Sequence, residues 1–182
     1  DHSVTVVGDG TSDNPFNNFK ALTDYLQAAP ILKKDLVINV VSTGEVTDNF
    51  DLRGIRGNGT IRINLAKTLV LNDSGANSAF YFYGCDVPIT LNGGRTGYDS
   101  TDGALLNTFN YGVFFNQCKY GCVEYLAIDT SGAGNEQWGV IFRGTNGMTR
   151  RVDFMGSWNA VLADNGSNVS DYDSCGNCKN AF

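Results

Sequence analysis

Short apolar runs recur along the chain, separated by turns rich in glycine and asparagine. Gly112-Val113-Phe114-Phe115 after Tyr111, Gly139-Val140-Ile141-Phe142 after Trp138, Ala160-Val161-Leu162-Ala163 after Asn159 and Ala181-Phe182 after Asn180 share one motif, which returns at steps of 27, 21 and 21 residues. Ala79-Phe80-Tyr81-Phe82 carries the motif once more upstream of Gly112, and Cys85 precedes Cys118 by the same interval as Ala79 precedes Gly112. That interval is longer than the later steps, and the polar segment 93–103 fits it as an insertion. A second series centres on Ile38, Ile63 and Ile89, in segments 36–41, 61–65 and 87–91, with steps of similar size.

A short period built from β-branched and aromatic strands has a specific physical meaning. One repeat cannot bury its own apolar side, but stacked copies bury a continuous core. An antiparallel sandwich would show similar turns without returning the same strand motif at this step. Leucine-rich and helical repeats are excluded, because neither a leucine consensus nor a repeating helical pattern is present. The expected fold is all-β: a right-handed parallel β-helix with an N-terminal capping α-helix. Asn14 is the expected cap and Pro15 the first helical position. Phe16, Phe19, Leu22 and Leu26 fall on one face, and the helix should end before Pro30. Residues 1–35 would form the N-terminal segment and helix. Residues 36–182 would form the coils, expected to be incomplete at the C-terminus.

Composition refines this picture. Glycine at 22 of 182 residues against 3 prolines implies many turns needing positive φ. A net charge of −6, from 13 Lys+Arg and 19 Asp+Glu, disfavours a nucleic-acid partner. No apolar run is long enough to span a bilayer as a helix, so membrane insertion is not expected. The 5 cysteines are an odd number, against a closed disulfide framework. Cys118-x3-Cys122 and Cys175-x2-Cys178 could form a four-thiolate zinc site, but the two pairs are far apart in the chain and core burial is the simpler reading. No metal or cofactor is expected.

The opening Gly8-Asp9-Gly10-Thr11-Ser12-Asp13, followed by a helix, resembles the N-terminal signature of the pectate-lyase-like β-helix superfamily. The signature covers roughly residues 4–28. Within that superfamily the chain most resembles tailed-phage tailspikes, neck appendages and baseplate proteins. The resemblance implies a virion structural protein, usually a homotrimer, assembled with other virion proteins on an extracellular phage particle. Such a protein attaches to host-surface polysaccharide. Alternatives are a polysaccharide lyase or glycoside hydrolase on the same fold, or a secreted bacterial adhesin.

Glycoside hydrolysis needs two carboxylates flanking the bond, and elimination needs a base with charge stabilisation. Glu124, Asp129, Glu136 and Asp153 are expected on consecutive coils. Glu136, Asp153 and Glu124 are therefore the catalytic candidates. The competing reading pairs Glu124 with Arg150 or Arg151 across strands. His2, the one histidine, lies in a terminus expected to be mobile. Tyr111, Trp138, Trp158 and Tyr98 are the ligand-binding candidates. Tyr111 and Trp138 hold the same place in the repeat and should stack into an aromatic strip, which suits sugar rings or a covering loop or subunit equally. An apolar strip on the outside, unused by the core, would favour a trimeric shaft.

Overall fold

A computed structural model describes residues 2–3, 16–72, 77–96, 103–107, 109–130, 137–156 and 159–175, with only the backbone for 2–3 and 171–175. The chain opens with β1 (His2–Ser3), α1 (Phe19–Ala28) and β2 (Ile31–Leu32). Then come β3 (Leu36–Val40), β4 (Gly44–Thr47), β5 (Phe50–Arg53) and the short β6 (Arg56–Gly57). The same three-strand sequence returns as β7 (Ile61–Leu65), β8 (Leu69–Asn72) and β9 (Ser78–Tyr83). It returns again as β10 (Pro88–Asn92), β11 (Leu105–Asn107) and β12 (Tyr111–Asn116), and as β13 (Tyr120–Glu124), β14 (Ala127–Asp129) and β15 (Trp138–Arg143). The last described strands are β16 (Asn146–Met155), β17 (Asn159–Asp164) and β18 (Val169–Cys175).

Every described pairing is parallel. The first ladder runs β1-β3-β7-β10-β13-β16, the second β4-β8-β11-β14-β16, and the third β5-β9-β12-β15-β17. The long strand β16 joins the first two, pairing β13 through Asn146–Arg150 and β14 through Asp153–Met155. The protein is thus all-β with parallel sheets and one described helix. The backbone of His2 is paired with Ile38, so this residue is placed in a strand rather than a free end.

Strand equivalences in the third ladder match the repeat. Val113 pairs with Phe80 and Val140, and Val140 with Val161, while Tyr111 pairs with Trp138. The first ladder departs from it by two positions: Ile63 pairs with Ile38 as expected, but with Leu91 rather than Ile89. A shift of two preserves the face that each side chain takes, so the buried set is unchanged.

The core alternates with the strands. Phe82, Phe115 and Phe142 are fully buried and stack at centroid distances of 4.9 and 5.3 Å. Opposite them Gly121 and Gly147 are paired neighbours. A Cβ on Gly147 would lie 2.2 Å from the Phe142 ring, and one on Gly121 2.6 Å from Phe115. Large rings fill what the small residues leave open, as close packing requires.

The helix begins at Phe19, with Asn18 as its cap: Asn18 Oδ1 accepts from the Ala21 N–H at 2.7 Å. The expected cap, Asn14, lies outside the described residues, and Phe16 precedes the helix rather than opening it. Asp48 Oδ2 accepts the Phe19 N–H at 3.0 Å, placing a carboxylate at the positive helix end. Phe19, Leu22 and Leu26 are buried, and Phe19 meets Phe50 and Phe80 at 5.5 and 5.7 Å. The helix stops at Ala28, before Pro30.

After each third-ladder strand the chain turns through a left-handed residue: Gly54, Gly84, Gln117, Gly144 and Asn165, with φ of 69°, 62°, 54°, 57° and 52°. Hydrogen bonds join these corners from one repeat to the next, Gly84 N–H to Asn116 O at 2.9 Å and Gln117 N–H to Arg143 O at 2.7 Å among them. Glycine removes the steric cost of this backbone at three of the five positions.

Candidate functional site

The outer face of the third ladder carries an aromatic groove. In β9, Phe80 and Phe82 point inward while Tyr81 and Tyr83 point outward, following the strand alternation. The register then stacks Asp51, Tyr81, Phe114, Ile141 and Leu162 in one column on the side away from the phenylalanine stack, where Ile141 is covered at 3% exposed. Beside it run Arg53, Tyr83, Asn116, Arg143 and Asp164. Tyr81 and Phe114 meet edge to face at 5.3 Å, and Tyr111 meets Phe114 in the same way at 6.0 Å. Asn116 Nδ2 donates to the Tyr81 hydroxyl at 3.1 Å.

Tyr81, Tyr111 and Phe114, with Asn49, Asp51, Arg53, Asn77 and Ser78, line a cleft of about 330 Å³. A second cleft of about 380 Å³ adjoins it through Asn49, Asp51 and Arg53, and runs along Lys20, Thr23, Asp24 and Gln27 of α1. The charges are paired within the groove. Arg53 donates to both Asp51 oxygens at 2.8 and 2.7 Å, and Lys20 donates to Asp24. The Asp51 hydrogen bonds raise the Arg53 pKa above its usual value. Arg53 also lies 5.3 Å from the Tyr81 ring centre, holding the ring from one side.

Of the expected aromatic residues, Tyr111 lines this groove and Trp138 lies beside it in the next strand. Trp158 and Tyr98 lie outside the described residues. Sequence reasoning missed Tyr81, Phe114, Asp51 and Arg53. The signal was the Phe-Tyr-Phe-Tyr alternation of residues 80–83, which puts the hydroxyl-bearing rings on the wet side.

Of the carboxylate candidates, Glu124 and Asp153 lie among the described residues. The register sets Glu124 beside Arg150 and Asp153 beside Ala127, so the two are not stacked. Glu136 lies outside the described residues. Glu124 accepts from Arg62 Nη2 at 2.8 Å and from Asn92 Nδ2 at 3.3 Å. The expected partners, Arg150 and Arg151, instead lie over the Tyr125 ring at 5.7 and 5.5 Å. Tyr125 and Arg151 both take a left-handed backbone at this corner, with φ of 55° and 52°. Asp153 accepts from Arg95 Nη1 at 3.2 Å. The Arg95 side chain is fully buried, and its Nε and Nη2 have no partner among the described residues. Each of these two carboxylates is held by its own arginine.

Among the described residues, no three His, Cys, Asp or Glu side chains form a metal-binding group. Cys118 and Cys122 are buried, Cys178 is outside the described residues, and only the backbone of Cys175 is described. Compared with family models, curated proteins and solved structures, the chain matches none.

Proposed function

We propose that the three ladders are the faces of a right-handed parallel β-helix that binds polysaccharide in the groove of its third face. Parallel β–β connections are right-handed in nearly all proteins, which supports the hand. The regular return from third ladder to first supports the coil. In this reading α1 covers the first turn, sparing its apolar surface and strand edges from water.

The observation that carries the binding reading is the cleft of Tyr81, Tyr111 and Phe114 beside Asp51, Arg53, Asn49 and Asn77. Aromatic faces suit the apolar face of a sugar ring, and the amide and charged rim suits its hydroxyls. Both groove cations are already committed to carboxylates, which favours neutral sugars over uronates. The biological setting follows from the resemblance of the opening segment: a tailspike-like virion protein attaching to host-surface polysaccharide. The same resemblance implies a homotrimer.

The test is titration of the full chain with neutral bacterial capsular and cell-wall oligosaccharides, alongside Tyr81→Ala and Tyr111→Ala. Binding weakened at least tenfold by either substitution, with the fold intact, supports the groove. Equal binding by all three proteins removes it. Light scattering on the same samples reads the oligomer.

A further inference from the structure

Cys85 and Cys118 are buried free thiols, 1% and 5% exposed, at equivalent places in successive repeats. Cys85 Sγ lies 3.7 Å from Tyr83 O, and Cys118 Sγ 3.5 Å from Asn116 O. Thr145 repeats the pattern one step further on, its Oγ1 3.1 Å from Arg143 O. Each side chain therefore turns toward the carbonyl two positions before it, and all three take one orientation. The backbone is in register here, with Lys119 N–H donating to Cys85 O at 2.8 Å. Neighbouring parallel strands lie about 4.8 Å apart, inside the Cα separation of about 4.4–6.8 Å that a disulfide accepts.

We propose that Cys85 and Cys118 are an oxidisable pair that closes to an inter-repeat disulfide under peroxide. The Cys85 thiolate attacks one peroxide oxygen, breaking the O–O bond; it becomes a sulfenic acid and hydroxide leaves. The Cys118 sulfur then displaces the sulfenic oxygen, forming the S–S bond. The thiol proton and the departing oxygen leave as water. Overall, two thiols and one hydrogen peroxide give one disulfide and two waters. The two thiols differ in acidity, and the roles follow from that. The interaction with the Cys118 thiol lowers the Cys85 pKa, while the same interaction and burial raise that of Cys118. Cys85 is the attacking sulfur and Cys118 the resolving one.

The experiment treats the folded full chain with hydrogen peroxide, blocks remaining thiols, and maps tryptic peptides by mass. Trypsin cuts after Arg95, so a Cys85–Cys118 bond joins two otherwise separate peptides. The expected product is that joined pair, released by dithiothreitol, with a raised urea midpoint. Cys118→Ser should halt the reaction at a Cys85 sulfenic acid that dimedone traps. Serine suits the position, since Thr145 and Ser167 place hydroxyls along the same corner. Recovery of both thiols unmodified, or pairing of either with another cysteine, overturns the proposal. A dimedone adduct on Cys118 in Cys85→Ser at the rate seen for Cys85 overturns the assigned roles.

Discussion

Glu124 takes its ion pair from Arg62, two strands away across β10, although the register sets Arg150 directly beside it. Arg62 reaches this far because its Nε is held by Asn64 Oδ1 at 3.1 Å, which stretches the side chain along the face. The Glu124 side chain is 11% exposed and the Arg62 side chain 44%. Half-solvated pairs contribute little, so a Glu124→Gln/Arg62→Met double-mutant cycle in urea should give a coupling of about 1 kcal/mol. The corresponding cycle with Arg150 should give nearly none. Equal coupling to both arginines would contradict the geometry.

Arg95 and Asp153 should behave differently, because the Arg95 side chain is fully buried. Removing one partner leaves the other charge inside the protein. Arg95→Met or Asp153→Asn should each cost about 3 kcal/mol, read from the urea midpoint. The double variant Arg95→Met/Asp153→Leu should recover most of that loss. Additive losses would show that the two charges do not depend on each other.

Gly147→Ala places a methyl 2.2 Å from the Phe142 ring and 2.5 Å from Gly121 O. The ring belongs to a stack with Phe115 and Phe82 and has no room to retreat. A loss of about 2 kcal/mol is expected, as for other overpacked cores. Adding Phe142→Leu should restore part of it. A neutral Gly147→Ala would mean that the ring stack is looser than described.

Asn18→Ala removes the acceptor of the Ala21 N–H and should cost about 1 kcal/mol. Asp48→Ala removes the acceptor of the Phe19 N–H at the same helix end, with a similar expected cost. Helix loss followed by circular dichroism and the midpoint of thermal unfolding check both. No change from Asn18→Ala would shift the helix start elsewhere.

The repeat was legible because the same aromatic strand and the same cysteine return at one step, and the register of Val113 with Phe80 and Val140 follows it. Ile89 misled because apolar residues two apart on one strand share a face, so Leu91 fits the pattern equally well. Asn14 misled because an asparagine before a proline satisfies the same cap rules that Asn18 satisfies with its side chain. The groove was hidden for another reason. Whether Tyr81 points in or out depends on register by a single position. Arg62 and Arg95 carry no local signal at all, since their partners lie 62 and 58 residues away.

The left-handed corner through Gly54, Gly84, Gln117, Gly144 and Asn165 has an evolutionary consequence. Between Asn116 and Tyr120 the return to the first ladder passes only through 117–119, and between Arg143 and Asn146 only through 144–145. The passage from first to second ladder is not held in this way: the whole of 93–104 separates Asn92 from Leu105, but only 125–126 separate Glu124 from Ala127. The returns to the first ladder range only from 144–145 to 54–60, a narrower spread than between the first and second ladders. Lineages descending from this chain can therefore acquire new surface by splicing peptide between the first and second ladders, where neither pitch nor core must be solved again. A library randomised in length as well as in sequence should keep more survivors there than at the corner.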